Sequence, residues 1–68
     1  MTVKQISQHI KKARKDKKMT QEQLAQVCGV GRRFISELES GKKQRYDLVL
    51  TLRVLQRLGL RLQLSSEQ

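Results

Sequence analysis

Apolar residues recur along this chain at helical spacing, in four segments separated by short polar breaks. The first segment predicts a helix over residues 3–15. Its inward-facing positions are Val3, Ile6, Ile10 and Ala13. Thr2 precedes the helix and Gln5 follows three residues later, which is the spacing of a capping box. The polar run KDKKM, residues 15–19, interrupts the pattern and separates this helix from the next.

Two shorter helices are predicted after this break. Thr20 caps the first of them, again with a glutamine, Gln23, three residues on. Gly29 stands where a left-handed residue is expected after a helix end. The next helix starts at Gly31 or Arg32 and ends before Gly41. The expected buried residues of the two helices are Leu24, Ala25 and Val27, then Phe34, Ile35 and Leu38.

The fourth segment predicts a helix that is apolar on two sides. Asp47 caps it and it runs to about Leu58, before Gly59. One stripe consists of residues 48, 52, 55 and 58, and the other of residues 49, 50, 54 and 58. A helix that is apolar on two sides must bury both, and a domain this small covers only one. The second stripe therefore indicates a partner chain.

Residues 60–64, LRLQL, alternate between apolar and polar, which is typical of a strand. A lone strand in a helical domain would leave its backbone groups unpaired. Either the segment frays as a tail, or it pairs with its copy in a homodimer, which is the interpretation we favour. The expected dimer interface is Leu50, Val54, Leu58, Leu60, Leu62 and Leu64. The chain then divides into a helical domain over residues 1–59, a dimerisation strand over residues 60–65 and a disordered tail over residues 66–68.

The composition of the chain is strongly basic. The 68 residues include 15 Lys and Arg but only 6 Asp and Glu, a net charge of +9, which favours a nucleic-acid partner. One cysteine and one histidine exclude a disulfide framework and a zinc site. No nucleophile with a paired base and no phosphate-binding loop stands out, so we expect neither an enzyme nor a cofactor nor a metal. We expect no signal peptide and no membrane span, and we expect a cytoplasmic, nucleoid-associated location.

The second and third helices, joined by a turn at Gly29, form the helix-turn-helix arrangement. In that arrangement the second helix places its N-terminal residues in the major groove of DNA. Arg32 and Arg33 occupy that position, although the helix dipole disfavours cations at a helix start. The basic pair therefore indicates an anion facing it.

The segment TQEQLAQVCGVGRRFISELESGK, residues 20–42, resembles the Cro/phage-repressor (XRE-type) helix-turn-helix family. It carries the family pattern T-Q-x-x-L-A-x-x-x-G-V followed by I-S-x-x-E-x-G, and the resemblance covers about residues 6–58. It implies an all-α, lambda-repressor-like helix-turn-helix bundle of about four helices. With its tail, the segment from residue 29 to residue 64 resembles the HipB-type antitoxin branch. That branch implies a short C-terminal strand that follows the compact domain and pairs across a homodimer. It also implies repression of its own promoter and restraint of a HipA-like Ser/Thr kinase toxin.

The expected DNA contacts follow from the helix-turn-helix and the resemblance together. Arg32 and Arg33 are expected at base edges, since arginine reads guanine O6 and N7. The resemblance implies that Gln21 holds a phosphate and braces a recognition side chain. Gly31 lets the backbone approach the DNA. The remaining expected contacts are Ser36, Glu37, Ser40, Lys42, Lys43 and Arg45, of which Glu37 is a candidate acceptor for cytosine N4.

Three further residues are expected to have structural roles. The resemblance implies an ion pair between Arg14 and Glu39, expected to be exposed and to contribute only ~0–1 kcal/mol. Cys28 is expected to be a small buried filler.

Two alternative functions remain open. One is a stand-alone or phage-derived repressor without a toxin, and the other, in another class, is a protein-interaction adaptor on the same fold. The expected partners are thus double-stranded DNA with an inverted-repeat operator, a second copy of the chain and a HipA-like kinase, with no membrane.

Overall fold

The computed structural model describes residues 2–43, 45–64 and 66. This part of the chain folds into four α-helices and contains no strand. The helices are α1 (Val3–Asp16), α2 (Gln21–Cys28), α3 (Arg32–Ser40) and α4 (Leu48–Arg57). The all-α bundle predicted from the apolar pattern is confirmed, and each helix begins and ends within about one residue of its predicted bounds.

Side-chain caps start three of the four helices. At α1 the Thr2 hydroxyl accepts from the Gln5 amide N–H at 3.2 Å, and the Gln5 side chain accepts from the Thr2 N–H at 2.9 Å. Thr20 and Gln23 form the same reciprocal capping box at the start of α2. The Asp47 carboxylate accepts from the third N–H of α4 at 3.0 Å. These contacts satisfy N–H groups that have no partner within the helix, so the caps fix the helix starts.

Left-handed glycines end α2 and α3. Gly29 has φ +69°, and its N–H donates to the Gln26 carbonyl at 3.2 Å while the Val30 N–H donates to the Ala25 carbonyl at 3.0 Å. This pair of bonds is a Schellman motif, which turns the chain sharply from α2 towards α3. Gly41 has φ +65° at the end of α3. A Cβ at Gly41 would lie 3.2 Å from the Ser7 hydroxyl, so α1 approaches this turn closely.

One apolar core joins all four helices. Its buried residues are Ile10, Leu24, Ala25, Cys28, Ile35, Leu38, Val54, Leu55 and Leu58. On α2 the sequence assigned Val27 to the core, but Val27 is 49% exposed and Cys28 is buried instead. At about 100° per residue the inward face runs through residues 24, 25 and 28, and Val27 lies to one side of it. The expectation that Cys28 fills the core is confirmed.

Helix α4 requires a correction to the predicted dimer interface. Val54 is 0% exposed and Leu58 is 4% exposed, because the single chain needs both to complete its own core against α2. These two residues therefore have no surface left for a second chain. The apolar side chains that α4 leaves exposed are instead Leu48, Val49 and Leu52, while Leu50 is partly exposed.

After α4 the described chain continues without regular structure. Leu60 packs against the core and its N–H donates to the Leu55 carbonyl at 2.8 Å. Beyond it Leu62 is 38% exposed and Leu64 is 96% exposed. Residues 60–64 form no strand in this single chain, and the predicted pairing needs a second copy. Three residues of the predicted strand and tail, Ser65, Glu67 and Gln68, lie outside the described residues. Within the described residues, no helix is both long and apolar enough to cross a membrane.

Candidate nucleic-acid interface

The start of α3 presents a basic, open surface. Gly31 is the N-cap, and a Cβ there would meet no atom within 4 Å. Because glycine has no side-chain acceptor, the first N–H groups of α3 receive no side-chain cap. Arg32, Arg33 and Ser36 are exposed and line one shallow depression beside them. The structure therefore brings together four of the residues assigned to DNA contact from the sequence.

Glu37 is the candidate acceptor for cytosine N4, and that contact stays a prediction. In the structure the Glu37 carboxylate lies between two cations. Its Oε1 is 3.2 Å from Arg33 Nε, and its Oε2 forms an ion pair with Lys43 Nζ. Lys43 above all, and Arg33 after it, lower the pKa of the Glu37 carboxyl. Glu37 therefore organises basic side chains at this surface.

The backbone of Glu37 also holds the loop that follows α3. The Tyr46 hydroxyl donates to the Glu37 carbonyl at 2.9 Å and accepts from the Lys43 N–H at 3.1 Å. The Ser40 hydroxyl donates to the same carbonyl at 2.6 Å and accepts from the Lys42 N–H at 3.3 Å. Both lysines are therefore held beside the C-terminal end of α3. No sequence pattern indicates this role for Tyr46, apart from its position directly before the Asp47 cap.

The remaining basic loop residue, Arg45, is also exposed. Lys42, Lys43 and Arg45 thus continue the positive charge of α3 past the helix end. Their neighbour Gln44 lies outside the described residues. This arrangement suits phosphate contact, because a run of cations along one edge of a recognition helix follows the DNA backbone.

A buried ion pair anchors α3 behind the basic surface. Arg14 Nε is 2.6 Å from Glu39 Oε2 and Arg14 Nη2 is 3.0 Å from Glu39 Oε1, while Arg14 Nη1 donates to the Met19 carbonyl at 2.7 Å. The Arg14 and Glu39 side chains are only 10% and 3% exposed. The predicted pairing is present, but the expectation that it is exposed is wrong, because α1 and α3 close over it. The bond to Glu39 is the main cause of the raised pKa of Arg14.

Gln21 connects this anchor to the start of α2. Its Nε2 donates to Glu39 Oε1 at 3.2 Å, so the amide side chain is held in place at the first residue of α2. The side chain is partly exposed. Gln21 can therefore reach a ligand while Glu39 fixes its orientation.

The fold and this surface define a DNA-binding helix-turn-helix domain: α2 packs against α3, a tight turn joins them, and the second helix carries exposed arginines at its start. A family model for the helix-turn-helix, of the Cro/phage-repressor (XRE) type, matches residues 10–65. That is more than half of the chain, and the chain belongs to this family. A comparison with curated proteins gives no match. The protein is accordingly a DNA-binding transcription regulator.

Proposed function

We propose that this chain is a sequence-specific transcriptional repressor that binds an inverted-repeat operator as a homodimer. The observation that carries the proposal is the open depression where Arg32 and Arg33 lie side by side at the start of α3. The helix dipole already places partial positive charge there, and of the two arginines only Arg33 has a carboxylate partner, Glu37, among the described residues, so this surface still favours an external anion. DNA supplies phosphates to meet that field and guanine edges that arginine recognises. Repression follows where the bound operator overlaps a promoter.

The surrounding contacts complete the proposed interface. The open backbone at Gly31 lets a phosphate approach the uncapped N–H groups of α3. The other proposed phosphate contacts are Gln21, Ser40, Lys42, Lys43 and Arg45. Phosphate contacts fix the register of the protein on the duplex, whereas base contacts at the helix start carry the sequence information.

The proposed dimer rests on apolar surface that the single chain leaves uncovered. Leu48, Val49 and Leu52 on α4 are 67%, 68% and 46% exposed, and the apolar positions 62 and 64 follow in the C-terminal segment. Monomeric proteins rarely expose large contiguous apolar patches. In the proposed dimer, residues 60–64 of the two chains pair across the two-fold axis. The two recognition helices then meet half-sites about 34–36 Å apart, one turn of DNA.

Genomic capture tests the DNA-binding part of the proposal. The tagged protein is incubated with sheared DNA of its own organism at near-physiological salt, and the retained fragments are sequenced. We expect enrichment of a short inverted repeat whose half-sites lie about one turn apart. Retention of no specific sequence would contradict the repressor proposal and favour the protein-interaction adaptor.

A pair of double variants separates recognition from general charge. Arg32→Ala/Arg33→Ala removes the two cations at the start of α3, and we expect it to lose at least about tenfold in affinity for the captured repeat. Lys11→Ala/Lys15→Ala removes the same charge from the exposed side of α1 and serves as the matched control. We expect the control to keep the preference for the repeat over random DNA.

The dimer is tested by substitutions that keep the chain length. Leu62→Ser/Leu64→Ser removes two exposed leucines, and we expect sedimentation to show a monomer with weakened operator binding. Gln63→Ser, at the alternate position of the same segment, is the control and should remain dimeric. A double variant that stays dimeric would place the interface on α4 alone.

We propose further that the repressor is the antitoxin of a HipBA-like operon and restrains a HipA-like Ser/Thr kinase. The support for this role is the resemblance of residues 29–64 to the HipB-type branch. Its test is co-purification: a kinase encoded beside this gene should be retained by the tagged chain. If the captured repeat lies upstream of this gene but no kinase adjoins it or binds, the chain is a stand-alone or phage-derived repressor.

A further inference from the structure

We infer that Arg33 reads a guanine in each operator half-site and that Glu37 is its positioning residue, an inference that rests on the proposed operator binding. The two adjacent arginines are not equivalent in the structure. Arg33 forms an ion pair with Glu37 one turn later on α3. Arg32 forms no ion pair with any residue that the structure describes.

The geometry of this pair leaves the reading edge of Arg33 free. The Glu37 carboxylate meets Arg33 at Nε, with Nε and Oε1 3.2 Å apart. A guanidinium carries five N–H donors, and only one of them is on Nε. Among the described residues, the terminal nitrogens of Arg33 make no hydrogen bond, so they remain available for bidentate contact with guanine O6 and N7. A carboxylate in this position orients the arginine without competing with the base.

Orientation matters here because Arg33 has little else to hold it. Its side chain is 93% exposed. An arginine side chain has large rotamer entropy, and binding must overcome the part of it that is still free. Spacing of four residues places Glu37 on the same face of α3, where the ion pair biases Arg33 towards one orientation before DNA arrives.

Lys43 offsets the repulsion between the Glu37 carboxylate and the phosphates of DNA. A lone glutamate at this surface would repel phosphates, but Lys43 pairs with the second oxygen of Glu37. The three side chains together carry one net positive charge. The Tyr46 and Ser40 hydroxyls fix the Glu37 backbone at 2.9 and 2.6 Å, so the carboxylate starts from a defined position. With a cation at each oxygen, Glu37 acts through Arg33 and not as a reader of cytosine.

Selection from a randomised duplex library tests the inference. The proteins compared are the unaltered chain, Glu37→Gln, Arg33→Ala, Arg32→Ala and the double variant Arg33→Ala/Glu37→Gln. We expect the unaltered protein to select one guanine per half-site that depends on Arg33. Arg33→Ala should lose about tenfold or more of the preference for that guanine. Glu37→Gln should weaken the preference at the same position, and the double variant should equal Arg33→Ala alone.

The matched control is Glu22→Gln, an exposed position on α2 where the same substitution adds the same charge. It should leave the base preference unchanged. Because Glu37→Gln removes a negative charge, its affinity for random DNA should hold or rise and its salt dependence should not fall. A merely structural defect would instead lower affinity for all sequences, and the urea midpoint of each variant reports on that separately.

Two results would overturn the inference while leaving the repressor proposal intact. One is an unchanged guanine preference in Glu37→Gln. The other is a guanine preference that disappears in Arg32→Ala but persists in Arg33→Ala. If the unaltered protein selects no sequence at all, the proposed function fails and this inference fails with it.

Discussion

Replacing Arg14 by methionine should be among the most damaging single changes that this domain can undergo. The substitution keeps the length and the apolar stem of the side chain but removes the guanidinium. It thereby removes both contacts to the Glu39 carboxylate and the bond to the Met19 carbonyl. Glu39 is then left with the Gln21 amide as its one described side-chain partner, in a site where its side chain is 3% exposed.

The size of the effect follows from burial. An exposed ion pair contributes about 0–1 kcal/mol, whereas removing one partner of a buried pair costs about 3–5 kcal/mol because the other charge stays in the interior. A small domain has a free energy of unfolding of only about 5 kcal/mol, at the low end of the usual range. We therefore expect Arg14→Met to remove most of the stability.

Urea unfolding followed by circular dichroism at 222 nm measures the loss. Lys12→Met is the matched control: it makes the same kind of substitution on the same helix, at an ion pair with Asp16 whose side chains are 77% and 65% exposed. The control should lose about 0.5 kcal/mol or less. The double variant Arg14→Met/Glu39→Leu should recover much of the stability, because no unpaired charge remains. If Arg14→Met loses no more than Lys12→Met, the pair is energetically an exposed one and the reasoning is refuted.

Three further predictions concern other parts of the fold. Gly41→Ala should lower the free energy of unfolding by at least about 1 kcal/mol, since φ is +65° and the added Cβ would lie 3.2 Å from a serine hydroxyl on α1. The control Gly31→Ala, where φ is −76° and no atom lies near the added Cβ, should lower the free energy of unfolding by less in the same urea experiment. The NMR titration of the Glu37 carboxyl should have its midpoint below the ordinary glutamate pKa, so the ion pairs of Glu37 persist above that pKa and are lost as pH falls through the lowered value. Lys43→Ala should raise this midpoint, and an unchanged midpoint would contradict the pairing. Burial raises the pKa of the Cys28 thiol, so a chromogenic disulfide reagent at neutral pH should modify the folded chain much more slowly than the urea-unfolded chain, and equal rates would place the thiol at the surface.

Local signals explain why the helices were predictable. Thr2 and Thr20 each precede a glutamine by three residues, and both pairs form the capping box that this spacing indicates. Gly29 and Gly41 adopt the left-handed conformation expected after a helix end. Each of these features involves residues that are close in sequence, so no knowledge of the tertiary structure is needed to identify them.

The misassigned residues depend on packing between helices. The apolar pattern of α4 shows two apolar sides, but it does not show which side meets α2. The structure buries Val54 and Leu58 and leaves Leu48 exposed. Periodicity does not indicate the burial of Arg14 either, because only the approach of α3 to α1 makes that side chain buried. Long-range contacts of this kind determine burial, and they are absent from any short window of sequence.

The two glutamates of α3 differ in the same way, because Glu39 makes contacts with other helices and Glu37 makes contacts at the exposed surface. Glu37 and Glu39 are two residues apart on α3 and therefore lie on different sides of the helix. Glu39 joins α3 to Arg14 on α1 and to Gln21 at the start of α2, so the helix is fixed relative to both. Glu37 holds Arg33 and Lys43 on the exposed side. One glutamate thus fixes where the recognition helix lies and the other fixes how its cations are arranged. A loss of the first should weaken binding to every DNA sequence, because the whole helix is misplaced, whereas a loss of the second should change which sequence is preferred.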